Sequence, residues 1–215
     1  MTKPELKISI VSDYICPFCY IAHKRLQCLR EHYTLRVRWC FVEIHPETPA
    51  IGQAIDELNY TAQYWSALME NLNRVAEEEQ MTLAPLDFTT NSRQALLLAE
   101  SCKLLGPDVF NAVHERLFEA YFIDGQNIGD EQVLRKIGAE LKIPEQTFKK
   151  AWADPFTKGP KDSVPHVLRP YQQYAASISV KSVPTFVIGD ELITGVVERS
   201  SLMTAAEKLH SGNIL

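Results

Sequence analysis

The chain has 215 residues, 46% hydrophobic and 23% charged, with 22 Lys plus Arg against 27 Asp plus Glu for a net charge of −5. Against about 150 residues per domain this is one large domain, or one domain carrying an insertion, and the near-average composition excludes disorder, collagen, coiled coil and a disulfide scaffold. No stretch is dense in Lys and Arg with interleaved aromatics, which argues against a nucleic-acid partner, and no uncharged run approaches the roughly 18 apolar residues of a membrane span, so neither signal peptide nor anchor is read and a cytoplasmic location is expected.

Residues 8–12, ISIVS, form a β-branched run closed by Asp13 and Tyr14. From 17 to 33 the apolar residues Phe18, Ala22, Leu26, Leu29 and Tyr33 recur at steps of four and three, the pattern of an amphipathic helix that Pro17 opens. Residues 35–44 then alternate, with Leu35, Val37, Trp39 and Phe41 on one face, as in a strand. Together these propose one β-α-β unit.

The middle of the chain is expected to be helical. Tyr64, Leu68, Leu72 and Val75 recur at helical spacing over 60–80; another helix runs over 92–105 and stops at Gly106 and Pro107. A third follows over 108–121. Asp130 caps a fourth over Val133, Leu134, Ile137 and Leu141, and Pro144 opens a fifth through Phe148 and Trp152. Residues 154–170 hold four prolines and one glycine and read as a loop or a much-interrupted helix. Strand character returns over 183–188; Gly189 and Asp190 turn the chain, Leu192 to Thr194 pair back as a hairpin, and Ser200 caps a last helix.

The residues that carry chemistry are Cys16-Pro17-Phe18-Cys19, placed where the first strand gives way to the first helix. Backbone N–H groups and the helix dipole stabilise negative charge there, so Cys16 is the thiol expected to be held as thiolate and to attack. Cys19, three residues on, lies one helical turn away, close enough to resolve a mixed disulfide at Cys16. The alternatives are half of a zinc site, for which no second Cys or His pair stands at ligand spacing, and two cysteines packed as small hydrophobes. Cys28, Cys40 and Cys102 complete an odd set of five and read as packed thiols. A second feature is Ser182-Val183-Pro184-Thr185; a cis bond before Pro184 would turn the backbone of Val183 toward an extended thiol peptide beside Cys16.

Together, CPFC after a first strand, the helical middle and SVPTFVIGDELITG before a closing helix resemble the DsbA family of the thioredoxin-fold superfamily, most of all its FrnE-type cytoplasmic members. The helix from Asn91 (NSRQALLLAE) and the segment from Leu117 (LFEAYFIDGQNIGDEQVL) resemble that family's helical insertion. The resemblance implies an α/β protein with a thioredoxin-like domain over 1–55 and 177–215 and an inserted all-helical domain over 56–176. It implies Cys16 as attacking thiol, Cys19 as resolving thiol, and Pro184 as a cis-proline at which Val183, with Pro17 and Phe18, meets substrate. The implied activity is thiol–disulfide oxidoreduction on a protein, a peptide or glutathione, with no bound cofactor or metal and glutathione as a possible co-substrate. Pro170 departs from the family, whose chain runs as a helix there, and is expected to start or kink that helix.

A related group on the same fold is the glutathione-dependent isomerases and kappa-class transferases, among them 2-hydroxychromene-2-carboxylate isomerase. Their first-position residue is typically serine, and they tend to show Gly-x-Asp-Arg where this chain has Gly195-Val196-Val197-Glu198. Both differences favour the dithiol oxidoreductase. A non-catalytic metal-binding or interaction module is the third possibility. Of the remaining polar residues, His23 matches the polar side of its helix and is expected to be solvated, as are Asp13 and Glu43 at strand ends, unless these acids shuttle the proton of Cys19. His45 is assigned no role.

Overall fold

The computed structural model describes residues 2–58, 60–153 and 164–211. Strand β1 (Glu5–Ser12) buries Leu6, Ile8 and Ile10 on one face and pairs in parallel with β2 (Thr34–Phe41), Ile10 opposite Trp39 and Ser12 opposite Phe41. A parallel pair needs a crossover, and α1 (Pro17–Arg25) and α2 (Gln27–Arg30) supply it. The other edge of β1 takes β5 (Thr185–Ile188) in antiparallel register, followed by β6 (Glu191–Thr194) across the turn where Gly189 adopts a φ of 58°. The sheet order β2-β1-β5-β6 thus joins the two ends of the chain.

Between them lie α3 (Ala62–Glu78), α4 (Arg93–Cys102), α5 (Pro107–Phe122), α6 (Glu131–Glu140) and α7 (Glu145–Ala151). Asp130 caps α6 as expected, its carboxylate accepting from the Gln132 N–H at 2.8 Å. Helix α8 (Arg169–Ser177) begins with Pro170 in its first turn, where the missing N–H costs no helical bond, so the proline starts the helix rather than kinking it. Of the proline-rich stretch over 154–170, residues 154–163 lie outside the described residues, and 164–168 form no helix. Helix α9 (Arg199–Ser211) closes the fold.

Several expectations need correction. The helix read over 17–33 divides at Leu26, and α1 is buried on more than one side: Ile21 meets Leu72 and Val75 of α3, while Tyr20 stacks on Phe118 and Phe122 of α5 at 5.2 and 5.8 Å. A helix held between two others shows no single apolar face. Ser200 does not cap α9, which starts one residue earlier; its hydroxyl reaches Glu198 instead. A pair of two-residue strands, β3 (Gln53–Ala54) and β4 (Phe88–Thr89), was not expected from so short a pattern. The first half of α3 stands away from the core, leaving Tyr64 53% exposed, whereas Leu72 and Val75 are buried.

Candidate functional site

Chain direction reverses at the end of β1, and the loop places Cys16 as the N-cap of α1, with Pro17 in the first helical turn. The Cys16 thiol lies 3.6 Å from the Val183 carbonyl oxygen, which brings the start of α1 against the segment leading into β5. The Val183–Pro184 peptide is cis, as the resemblance implied. Cys19, one turn on, is 1% exposed, and burial pushes its thiol well above the ordinary cysteine range; the adjacent Cys16 sulfur adds to that effect. Both cysteines are free. One sulfur at the head of a helix and one protonated thiol behind it form a pair able to attack and then to resolve.

Cys16, Pro17, Phe18 and Val183 line one cavity of about 620 Å³, while Cys19 and Pro184 lie buried behind it. Its far wall is the exposed half of α3 with Tyr64 and Trp65, joined by Tyr60 and Tyr121. His45 sits at the rim, its Nε2 3.2 Å from the Tyr60 hydroxyl. The run Tyr60-Thr-Ala-Gln-Tyr64-Trp65 was the available signal for this wall, but helical spacing alone does not separate a cavity wall from a core face. A larger hollow of about 820 Å³ on the sheet, lined by Lys7, Arg36, Arg38 and Tyr174, contains neither cysteine and is not the place of the thiol chemistry.

The polar residues near the motif are less solvated than their sequence positions implied. Asp13 is fully buried, its carboxylate accepting from the backbone N–H of Ile44 at 2.8 Å, and burial raises its pKa to about 7. Glu43 pairs with Arg93 at 2.9 Å, both side chains buried, and burial likewise raises its carboxyl. His23 is buried under α5, with its Nε2 2.6 Å from Glu115, which Lys24 also pairs. These groups were read as solvated because the partners that enclose them lie far along the chain. Cys40 and Cys102 are buried, and Cys28 is half-buried.

The family model for the DSBA-like thioredoxin domain matches residues 7–207. The chain is 24% identical over 192 residues to the uncharacterized protein YwbO of Bacillus subtilis (strain 168), covering 87% of this chain and 89% of that one. Among solved structures it is similar to a probable DsbA oxidoreductase of Streptomyces coelicolor, with TM-score 0.80 and 17% identity over 96% of this chain and 90% of that chain. It is also similar to a 2-hydroxychromene-2-carboxylate isomerase, with TM-score 0.73 and 20% identity over 97% and 98% of the two chains. The cytosolic disulfide reductase DsbM of Pseudomonas aeruginosa, solved with GSH, aligns at TM-score 0.65 and 17% identity over 97% of each chain. At these identities the structural likenesses establish the fold.

Proposed function

We propose, for a chain that belongs to the family of DSBA-like thioredoxin domains, that it exchanges thiols and disulfides through Cys16 and Cys19. The observation that carries this is the pairing of Cys16, at the head of α1 and open to the cavity, with Cys19, buried behind it as a neutral thiol. The Cys16 thiolate attacks a disulfide sulfur and expels the first thiol; Cys19 then loses its proton, attacks Cys16 and releases the second. Val183, against the Cys16 sulfur and turned by the cis bond to the buried Pro184, forms the edge along which a substrate lies, with Pro17 and Phe18 lining the same cavity from α1.

A glutathione-dependent isomerase on the same fold would need a first-position group that holds the glutathione thiolate without joining it in a disulfide, and Cys16 joins. Glutathione fits the oxidoreductase as a co-substrate, a role supported by the DsbM structure solved with GSH. Among the described residues no helix is long and apolar enough to cross a membrane, and no group of three or more His, Cys, Asp or Glu is placed to hold a metal ion. The cytoplasm is the compartment we favour, by likeness to the cytosolic DsbM. Cys16→Ser should abolish reduction or oxidation of a test dithiol substrate; full activity in that variant contradicts the assignment.

A further inference from the structure

The cavity over Cys16 imposes a chemical selection that the two cysteines do not. At about 620 Å³ it has the size of a small-molecule site. Its lining mixes aliphatic side chains with a cluster of rings, in which Tyr60 lies nearly parallel to Trp65, at 6.0 Å and 11°, and 5.2 Å from Tyr64; Phe18 and Tyr121 line the same cavity. The polar side chains that reach it include Asn71 and Thr89, and among the described lining residues there is no Lys, Arg, Asp or Glu. His45, at the rim, is engaged by Tyr60 and, at 3.4 Å, by Glu47. The cations gather elsewhere, with Lys7, Arg36 and Arg38 in the hollow on the sheet.

A peptide carboxylate entering such a space loses its water and meets no cation, whereas a flat uncharged frame gains apolar burial and ring stacking. We infer that the substrate of this site is an uncharged aromatic small-molecule disulfide, or the thiols it becomes, in preference to glutathione or a charged peptide. The inference rests on exchange at Cys16 as proposed above. In the step, the Cys16 sulfur bonds to one substrate sulfur as the substrate S–S bond breaks and the first thiol leaves. The Cys19 sulfur, having given up its proton, then bonds to Cys16 as the mixed disulfide breaks. The protein dithiol loses two electrons and two protons, and the substrate gains both.

The test is a single-turnover comparison of the reduced protein with two disulfides of one aromatic frame, a bis(nitrobenzamide) and a bis(nitrobenzoate), and with oxidised glutathione. Each rate is divided by that of free mercaptoethanol, in about 1 M salt, where a Debye length of about 3 Å removes the effect of overall charge. The normalised rate for the amide should exceed that for the carboxylate by about tenfold. Tyr64→Arg, which brings a cation to the wall, should shrink that ratio several-fold; a ratio is unmoved by a uniform loss of folded protein. Equal normalised rates, a preference for glutathione, or a ratio that Tyr64→Arg leaves unchanged overturns the substrate class while exchange at Cys16 stands. Failure of Cys16 to react with any of the three removes exchange itself, and the substrate class with it.

Discussion

Tyr14 and His114, 100 residues apart in sequence, meet through a buried hydrogen bond of 2.7 Å between the tyrosine hydroxyl and Nδ1 of the imidazole. Burial holds His114 well below the ordinary histidine range and Tyr14 well above the ordinary tyrosine range, so the phenol donates and the neutral ring accepts. The bond ties the loop just before Cys16 to α5, where Phe118 packs on the same tyrosine at 4.8 Å.

Removing one partner strands the other. Tyr14→Phe should therefore destabilise the protein by about 1–3 kcal/mol, and His114→Leu by a similar amount or more. The double variant should cost less than the sum of the two, a coupling of about 1 kcal/mol that a urea double-mutant cycle reads directly. Strict additivity would mean that the bond contributes nothing to stability.

Asp13 sets a pH dependence of definite sign. Its carboxyl is raised from 3.8 to about 7 by burial, so the folded state binds the proton more tightly than the unfolded chain. The stability it contributes is fully present below about pH 4 and is lost as pH rises through about 7. His114 works oppositely, its contribution being lost as pH falls below about 6.5, so only a comparison isolates Asp13. Relative to wild type, Asp13→Asn should gain on the order of a few kcal/mol in unfolding free energy between pH 4 and pH 8. A difference constant across that range would show that Asp13 does not titrate in the fold.

The end of α1 is fastened by Arg25, whose guanidinium donates to Glu79 at 2.9 Å, Glu78 at 2.6 Å and the Val197 carbonyl at 3.0 Å. It joins the helix that carries both cysteines to α3 and to the segment before α9. Arg25→Met should cost about 3 kcal/mol, seen as a lower urea midpoint at unchanged slope; Glu79 keeps Arg199 at 2.5 Å as a second partner, which limits the loss. A midpoint within error of wild type would count against this role.

Much of this architecture was legible from local pattern. The β-α-β start, the position of CPFC at a strand-to-helix junction and the Gly189-Asp190 hairpin follow from alternation, helical spacing and turn chemistry within a few residues. What escaped depends on distant partners. His23 reads as polar on its own helix, yet Glu115 and the rings of α5 enclose it; Asp13 reads as a strand end, yet Ile44 covers it. Tyr64 satisfies core spacing, but the first half of α3 leaves the core to wall the cavity over Cys16, and nothing in a 3.6-residue period records that departure.

Exchange at Cys16 with resolution by Cys19 is most directly tested by intact-mass and peptide mapping after a small excess of disulfide is added to the reduced protein. Cys19→Ser should trap the thiol half of the reagent on Cys16 alone, whereas wild type should show no lasting adduct and instead lose two hydrogens as Cys16 and Cys19 join. A Cys19→Ser protein that remains unmodified at Cys16, or carries the adduct on Cys28 instead, would contradict it.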